Sequence, residues 1–95
     1  MFKGEHSGFI HEPARLQLML YLGTVREVDF VFLLNATGFS KGNLSVQMRK
    51  LAARGLIAIN KSFENNKPLT VYKITRVGAK ALKQYRQDMR RLLAD

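Results

Sequence analysis

The stretch Phe39-Ser40-Lys41-Gly42-Asn43-Leu44-Ser45-Val46-Gln47-Met48-Arg49-Lys50-Leu51-Ala52-Ala53-Arg54-Gly55 decides how the rest of the chain is read. A serine hydroxyl caps the start of a helix and a glycine accepts the left-handed backbone on which helices commonly end, so a helix is expected over about 40–54. Leu44, Met48 and Leu51 recur at i, i+4 and i+7 and mark one thin buried stripe. Outside the stripe lie Lys41, Gly42, Asn43, Ser45, Val46, Gln47, Arg49, Lys50 and Arg54, a face of small, amide-bearing and cationic side chains. A DNA major groove admits one α-helix with such a face. Asn43 and Gln47 can exchange paired hydrogen bonds with adenine, Arg and Lys match the acceptors of guanine, and Val46 can touch a thymine methyl. Ser40 and the exposed N–H groups of the first turn suit a phosphate.

Upstream, Phe30 to Thr37 is short and unusually apolar, with Asp29 placed to cap it as a helix. Gly38 and Phe39 make a tight turn between the two helices, Gly38 by taking φ > 0 and Phe39 by anchoring the corner. Helix, short Gly-containing turn, helix is a helix-turn-helix outline. Before it, Pro13 opens an earlier helix through Leu16, Leu18, Met19, Leu20 and Leu22, with Gly23 as its C-cap. Thr24 to Val28 reads as a minor edge strand. The first ten residues, with Gly4, Ser7 and Gly8, read as a loosely ordered arm.

Downstream of Gly55 the period drops to two. Residues 56–63 and 70–75 are expected as strands joined by a polar loop over 64–69, with Ile57 and Ile59 facing the same way as Tyr72 and Ile74. A hairpin placed directly after a helix-turn-helix makes a winged helix. The wing, about 61–70, offers Lys61, Asn65, Asn66, Lys67 and Thr70 to a flanking backbone or a minor groove. Thr75 can cap a last helix on which Gly78, Leu82, Tyr85, Met89 and Leu92 fall alternately four and three apart. With the core already closed by the hairpin, that seam is expected to meet its copy in a second subunit through Leu82, Tyr85, Met89 and Leu92, the alternative being that it folds back on the first helix. The expected fold is therefore mainly α with a small β-hairpin. It is a single winged helix-turn-helix domain over 1–95, with the winged-helix core at 10–76 and a long C-terminal dimerisation helix at 77–95.

Charge points the same way. The 95 residues carry a net +9, and the excess is uneven. Residues 1–37 hold three Lys and Arg against four Asp and Glu, whereas residues 38–95 hold thirteen against three, so a polyanion is the expected partner of the later part. Cysteine is absent, which excludes disulfides and thiolate metal sites. No apolar run reaches membrane-spanning length and the N-terminus lacks a signal-peptide layout, so a cytoplasmic protein with no membrane partner is expected. His6 and His11, beside Glu5 and Glu12, match no compact metal-ligand spacing, and His11 reads as a cap or packing residue. There is no nucleophile elbow, Gly-rich phosphate cradle or paired His and nucleophile, so neither an enzyme nor a cofactor is expected. Met19, Phe30, Phe32, Leu33, Leu34, Phe39, Tyr85 and Met89 read as core rather than as a pocket for an apolar effector, and no effector is assigned.

The runs at 10–16, 37–45 and 49–57, continuing through 61–63, 70–75 and Gly78, resemble the short stand-alone winged-helix regulators related to the MarR and ArsR groups. The Gly42-Asn43-Leu44-Ser45 run, followed by Lys50-Leu51 and Gly55, carries most of that likeness. The resemblance implies a dimeric DNA-binding transcription factor with the helix at 40–54 in a major groove. It assigns base contact to Ser40, Lys41, Asn43, Ser45, Val46 and Gln47, backbone contact to Lys50, Arg54 and the wing, and dimerisation to the first and last helices. The chain departs from that pattern at Asn65-Asn66-Lys67-Pro68, where such wings often carry Gly-Arg-Arg-Pro, and at Phe32 and Leu34, where polar residues are usual. The expected function is sequence-specific regulation of transcription as a homodimer on a pseudo-palindromic double-stranded DNA site. The alternatives are a winged-helix protein-interaction adaptor and an architectural or RNA-binding factor without base readout.

Overall fold

A computed structural model describes residues 1–94. In chain order the elements are α1 (Ser7–Ile10), α2 (Pro13–Leu22), β1 (Val28–Asp29), α3 (Phe30–Thr37), α4 (Lys41–Ala53), β2 (Ile57–Glu64), β3 (Lys67–Ile74) and α5 (Arg76–Leu93). The caps account for most boundaries. The Glu12 carboxylate accepts from Arg15 N–H at 2.8 Å, Asp29 from Phe32 N–H at 2.8 Å, Ser40 Oγ from Asn43 N–H at 3.1 Å and Thr75 Oγ1 from Gly78 N–H at 2.9 Å. Each satisfies a first-turn donor that has no partner inside its own helix. Gly38, at φ 70°, ends α3 with its N–H donating to Leu34 O at 3.0 Å, and it turns the chain into α4.

The hairpin differs from expectation at its tip. Asn65 and Asn66 both adopt positive φ, 53° and 64°, and the strands pair in register from Ile57↔Ile74 to Glu64↔Lys67. A two-residue turn with both residues left-handed matches the twist of paired strands, and asparagine tolerates that backbone. The expected six-residue loop is thus a two-residue turn, and Lys67 and Pro68 belong to β3. Ile59 faces Tyr72 across the ladder, so Ile57, Ile59, Tyr72 and Ile74 share the core-facing side as expected. The minor strand lies slightly later than 24–28: β1 pairs Val28 with Tyr72 and Asp29 with Val71, giving the sheet order β1-β3-β2.

The core joins Leu18, Met19 and Leu22 of α2 to Leu33 of α3, Leu44, Met48 and Leu51 of α4, Leu56 and Ile57, Tyr72, and Ala81, Leu82 and Tyr85 of α5. Fully burying one such side chain stabilises the fold by about 1.5–3 kcal/mol. The stripe at 44, 48 and 51 is therefore what fixes α4 against α2. Gly78 sets how closely α5 approaches the hairpin base, because an added Cβ would run into the backbone carbonyl of Leu56. Gly23 ends α2 without a left-handed backbone, at φ −70°. A Cβ there would stand 2.8 Å from Leu82 Cδ2, so the position is small to admit α5.

The N-terminus is not a loose arm. Residues 1–10 lie along α5, where the Asp88 carboxylate, 1% exposed, accepts from Gly4 N–H at 2.9 Å, Lys3 N–H at 3.1 Å and Gln84 Nε2 at 3.1 Å. These donors, the Gly4 N–H foremost, hold the Asp88 carboxyl well below the usual carboxylate range against the opposing effect of burial. Phe2 packs beside His11 and Tyr85, and His11 Nδ1 and the Tyr85 hydroxyl share a hydrogen bond at 2.8 Å. Two of the four residues expected at a subunit contact, Leu82 and Tyr85, are consequently buried within the chain, because α1 and α2 already cover that part of the seam. Toward the end of α5, Leu92 is 41% and Leu93 73% exposed. Among the described residues, no helix is long and apolar enough to cross a membrane.

Candidate nucleic-acid interface

The outward face of α4 and the near side of the wing meet in a shallow pocket of about 220 Å³. Ser45 and Arg49 line it from α4, Lys61 and Thr70 from the paired strands, and Phe30 and Tyr72 from beneath. Lys61 and Thr70 are direct cross-strand partners, which puts both on the side of the ladder that faces the helix. Four residues singled out from sequence, separated by up to twenty-five positions in the chain, thus converge on one cleft. Burial raises the Tyr72 phenol above its ordinary pKa, and the Arg49 guanidinium above it acts in the opposite direction. The floor therefore stays a neutral hydroxyl at physiological pH, while the walls carry two cations.

Along the rest of α4, Ser40, Lys41, Asn43, Val46, Arg49, Lys50 and Arg54 are exposed, and Gly42 has open space where a side chain would be. Val46, 36% exposed, stands on the outer face opposite the buried stripe, as read from sequence. At the wing tip Asn66 and Lys67 are exposed, an amide and a cation beyond the cleft, with Glu64 opposite Lys67 across the ladder.

Gln47 is a correction. It is only 9% exposed, and its amide is committed within the chain: Oε1 accepts from Arg15 Nη1 at 3.2 Å and Nε2 donates to Asn43 Oδ1 at 3.3 Å. Position 47 lies next to the stripe, at i+3 from Leu44, and α2 presents Arg15 there. A buried amide with two partners inside the protein is not free to read a base edge directly. Arg54 is also partly engaged, its guanidinium stacked 4.0 Å from the Phe9 ring centroid, with Arg15 at 4.2 Å from the same ring. Arg15 and Phe9 are not among the site residues that the sequence singles out. The available signal was one arginine inside the otherwise apolar face of α2, since a cation on a core helix needs partners.

A helix-turn-helix whose second helix faces a two-stranded wing across a cationic cleft defines the winged-helix class of nucleic-acid-binding domains. The family model for the Winged helix DNA-binding domain matches residues 14–93, and the chain belongs to that family. Among solved structures it is similar to the transcriptional regulator homologue protein from Pyrococcus horikoshii OT3, with 26% sequence identity and a TM-score of 0.85 over 92% of this chain and 86% of that one. No curated protein matches.

Proposed function

We propose that this chain is a sequence-specific, DNA-binding transcriptional regulator that acts as a homodimer on a pseudo-palindromic site. The observation that carries the reading is the convergence of Ser45, Arg49, Lys61 and Thr70 on one cleft between α4 and the wing. The exposed N-terminal half of α4 enters a major groove, with Lys41, Asn43, Ser45 and Val46 toward the base edges and Ser40 toward a phosphate. Arg49, Lys50, Lys61, Asn66, Lys67 and Thr70 follow the flanking backbone, and Arg54 reaches it from the far end of α4. The likeness to the Pyrococcus horikoshii regulator homologue supports a role in transcription.

Dimerisation uses what the chain leaves uncovered on α5. Met89 is half-buried and Leu92 and Leu93 are exposed, in a helix end that also carries Arg86, Arg90 and Arg91. A protein of this size gains from burying such a surface against a second copy. Two copies related by a twofold axis present their α4 helices to successive major grooves, about 10 bp apart. Selection of bound sequences from a random duplex pool tests this. The expected result is a motif of two inverted half-sites at that spacing, and a pool that stays random after selection contradicts it.

A further inference from the structure

The groove-facing amide of Asn43 is held by a chain of hydrogen bonds that begins outside the helix-turn-helix. Arg15 is fixed on three sides: its Nε donates to Phe9 O at 2.7 Å, its guanidinium stacks 4.2 Å from the Phe9 ring centroid, and its Nη1 donates to Gln47 Oε1 at 3.2 Å. The two ends of an amide are similar in shape, and a guanidinium, which has donors and no acceptor, decides between them. Gln47 must turn its oxygen to Arg15, which leaves its Nε2 facing Asn43 and donating to Oδ1 at 3.3 Å. Asn43 in turn must direct its oxygen inward along the helix and its amide NH₂ away from Gln47. The Asn43 backbone is meanwhile tied to the Ser40 cap at 3.1 Å.

We infer that Arg15 is a positioning residue for base recognition: acting through buried Gln47, it fixes the orientation of the Asn43 amide and thereby selects the base that Asn43 reads. The inference rests on the reading of α4 as the groove-inserted helix. Its chemical content is specific. An outward NH₂ donates to N7 of a purine, and the second lone pair of Oδ1, left over after the Gln47 bond, accepts from the adenine N6 amino group. The arrangement therefore favours adenine at one position of each half-site. Gln47 makes no base contact and is required because it is an amide, with one acceptor facing Arg15 and one donor facing Asn43. Holding the reading group in a single orientation before contact avoids the cost of ordering it on binding.

The test compares motifs selected from one random duplex pool by the wild-type chain and by Asn43→Ala, Gln47→Glu and Arg15→Met. Gln47→Glu is close to isosteric and keeps an acceptor toward Arg15, but a carboxylate cannot donate to Asn43 Oδ1. Asn43 should then turn its NH₂ inward and its oxygen outward. The expected result is an adenine preference at one half-site position, on the order of tenfold in the wild type, lost in Asn43→Ala and lost in Gln47→Glu, with the other motif positions retained. Arg15→Met should weaken the same position selectively; if that variant does not fold, Gln47→Glu carries the comparison alone. A preference that depends on Asn43 but is unchanged in Gln47→Glu overturns the inference and leaves the DNA-reading role standing. A wild-type chain that selects no motif overturns both.

Discussion

Ser40, Asp29 and Thr75 act as the caps their identity announces, because capping is a local matter between a side chain and the N–H three residues on. Gly78 was legible as part of a seam, but its purpose was not, since the clash it avoids is with the carbonyl of Leu56, twenty-two positions away. Gly78→Ala should lower unfolding free energy by roughly 1–3 kcal/mol in denaturant titration, an overpacking cost at a backbone contact that cannot yield. An unchanged midpoint would mean that α5 sits farther from β2. Asp88 was likewise opaque, because two of its donors, the Lys3 and Gly4 N–H groups, come from the opposite end of the chain. Its carboxyl titrates lower in the folded state than in the unfolded chain, so the stability it contributes is present above about pH 4 and is lost as pH falls below it. The difference in Tm between wild type and Asp88→Asn should therefore be largest near neutrality and shrink on acidification below that pH. A difference that is constant with pH would show that the Asp88 charge plays no part in holding residues 1–10.

At the scale of elements, periodicity placed α2, α3, α4, both wing strands and α5, and their ends moved only where turn chemistry or a distant partner intervened. The wing turn is shorter than its polar run suggests because Asn65 and Asn66 both accept left-handed backbone. Element α5 illustrates a different limit. Its heptad-like spacing is real, but spacing does not say what covers a seam. The structure covers Leu82 and Tyr85 with α1, α2 and the N-terminal residues, and leaves the end of the helix open. Subunit association through that end predicts that Leu92→Glu gives a folded monomer in sedimentation, with a lowered thermal midpoint that no longer depends on protein concentration. Leu82→Glu, by contrast, should unfold the chain by burying an unpaired charge. A dimer that survives Leu92→Glu would move the subunit contact elsewhere.

For the whole molecule, the uneven charge seen in sequence acquires a place. The cations after residue 37 include the two that flank the α4–wing cleft, whereas the anions of the first part serve largely as local partners, Glu12 and Asp29 as caps. The fold class and the exposed polar and basic face of α4 were legible because both follow from periodicity and capping. The inward turn of Gln47 was not, because it depends on a helix thirty-two residues earlier in the chain. If duplex DNA is held in the cleft between α4 and the wing, as proposed, its affinity depends on salt and on the cations that flank that cleft. The most direct measurement is duplex affinity as a function of salt, for the wild-type chain and for Arg49→Ala and Lys61→Ala. With six to eight phosphates neutralised per complex, log affinity should fall against log salt with a slope of very roughly −5 to −7, and each substitution should reduce its magnitude by about 1 for every copy bound. Affinity that barely responds to salt, or a slope that neither substitution changes, would contradict DNA binding in that cleft.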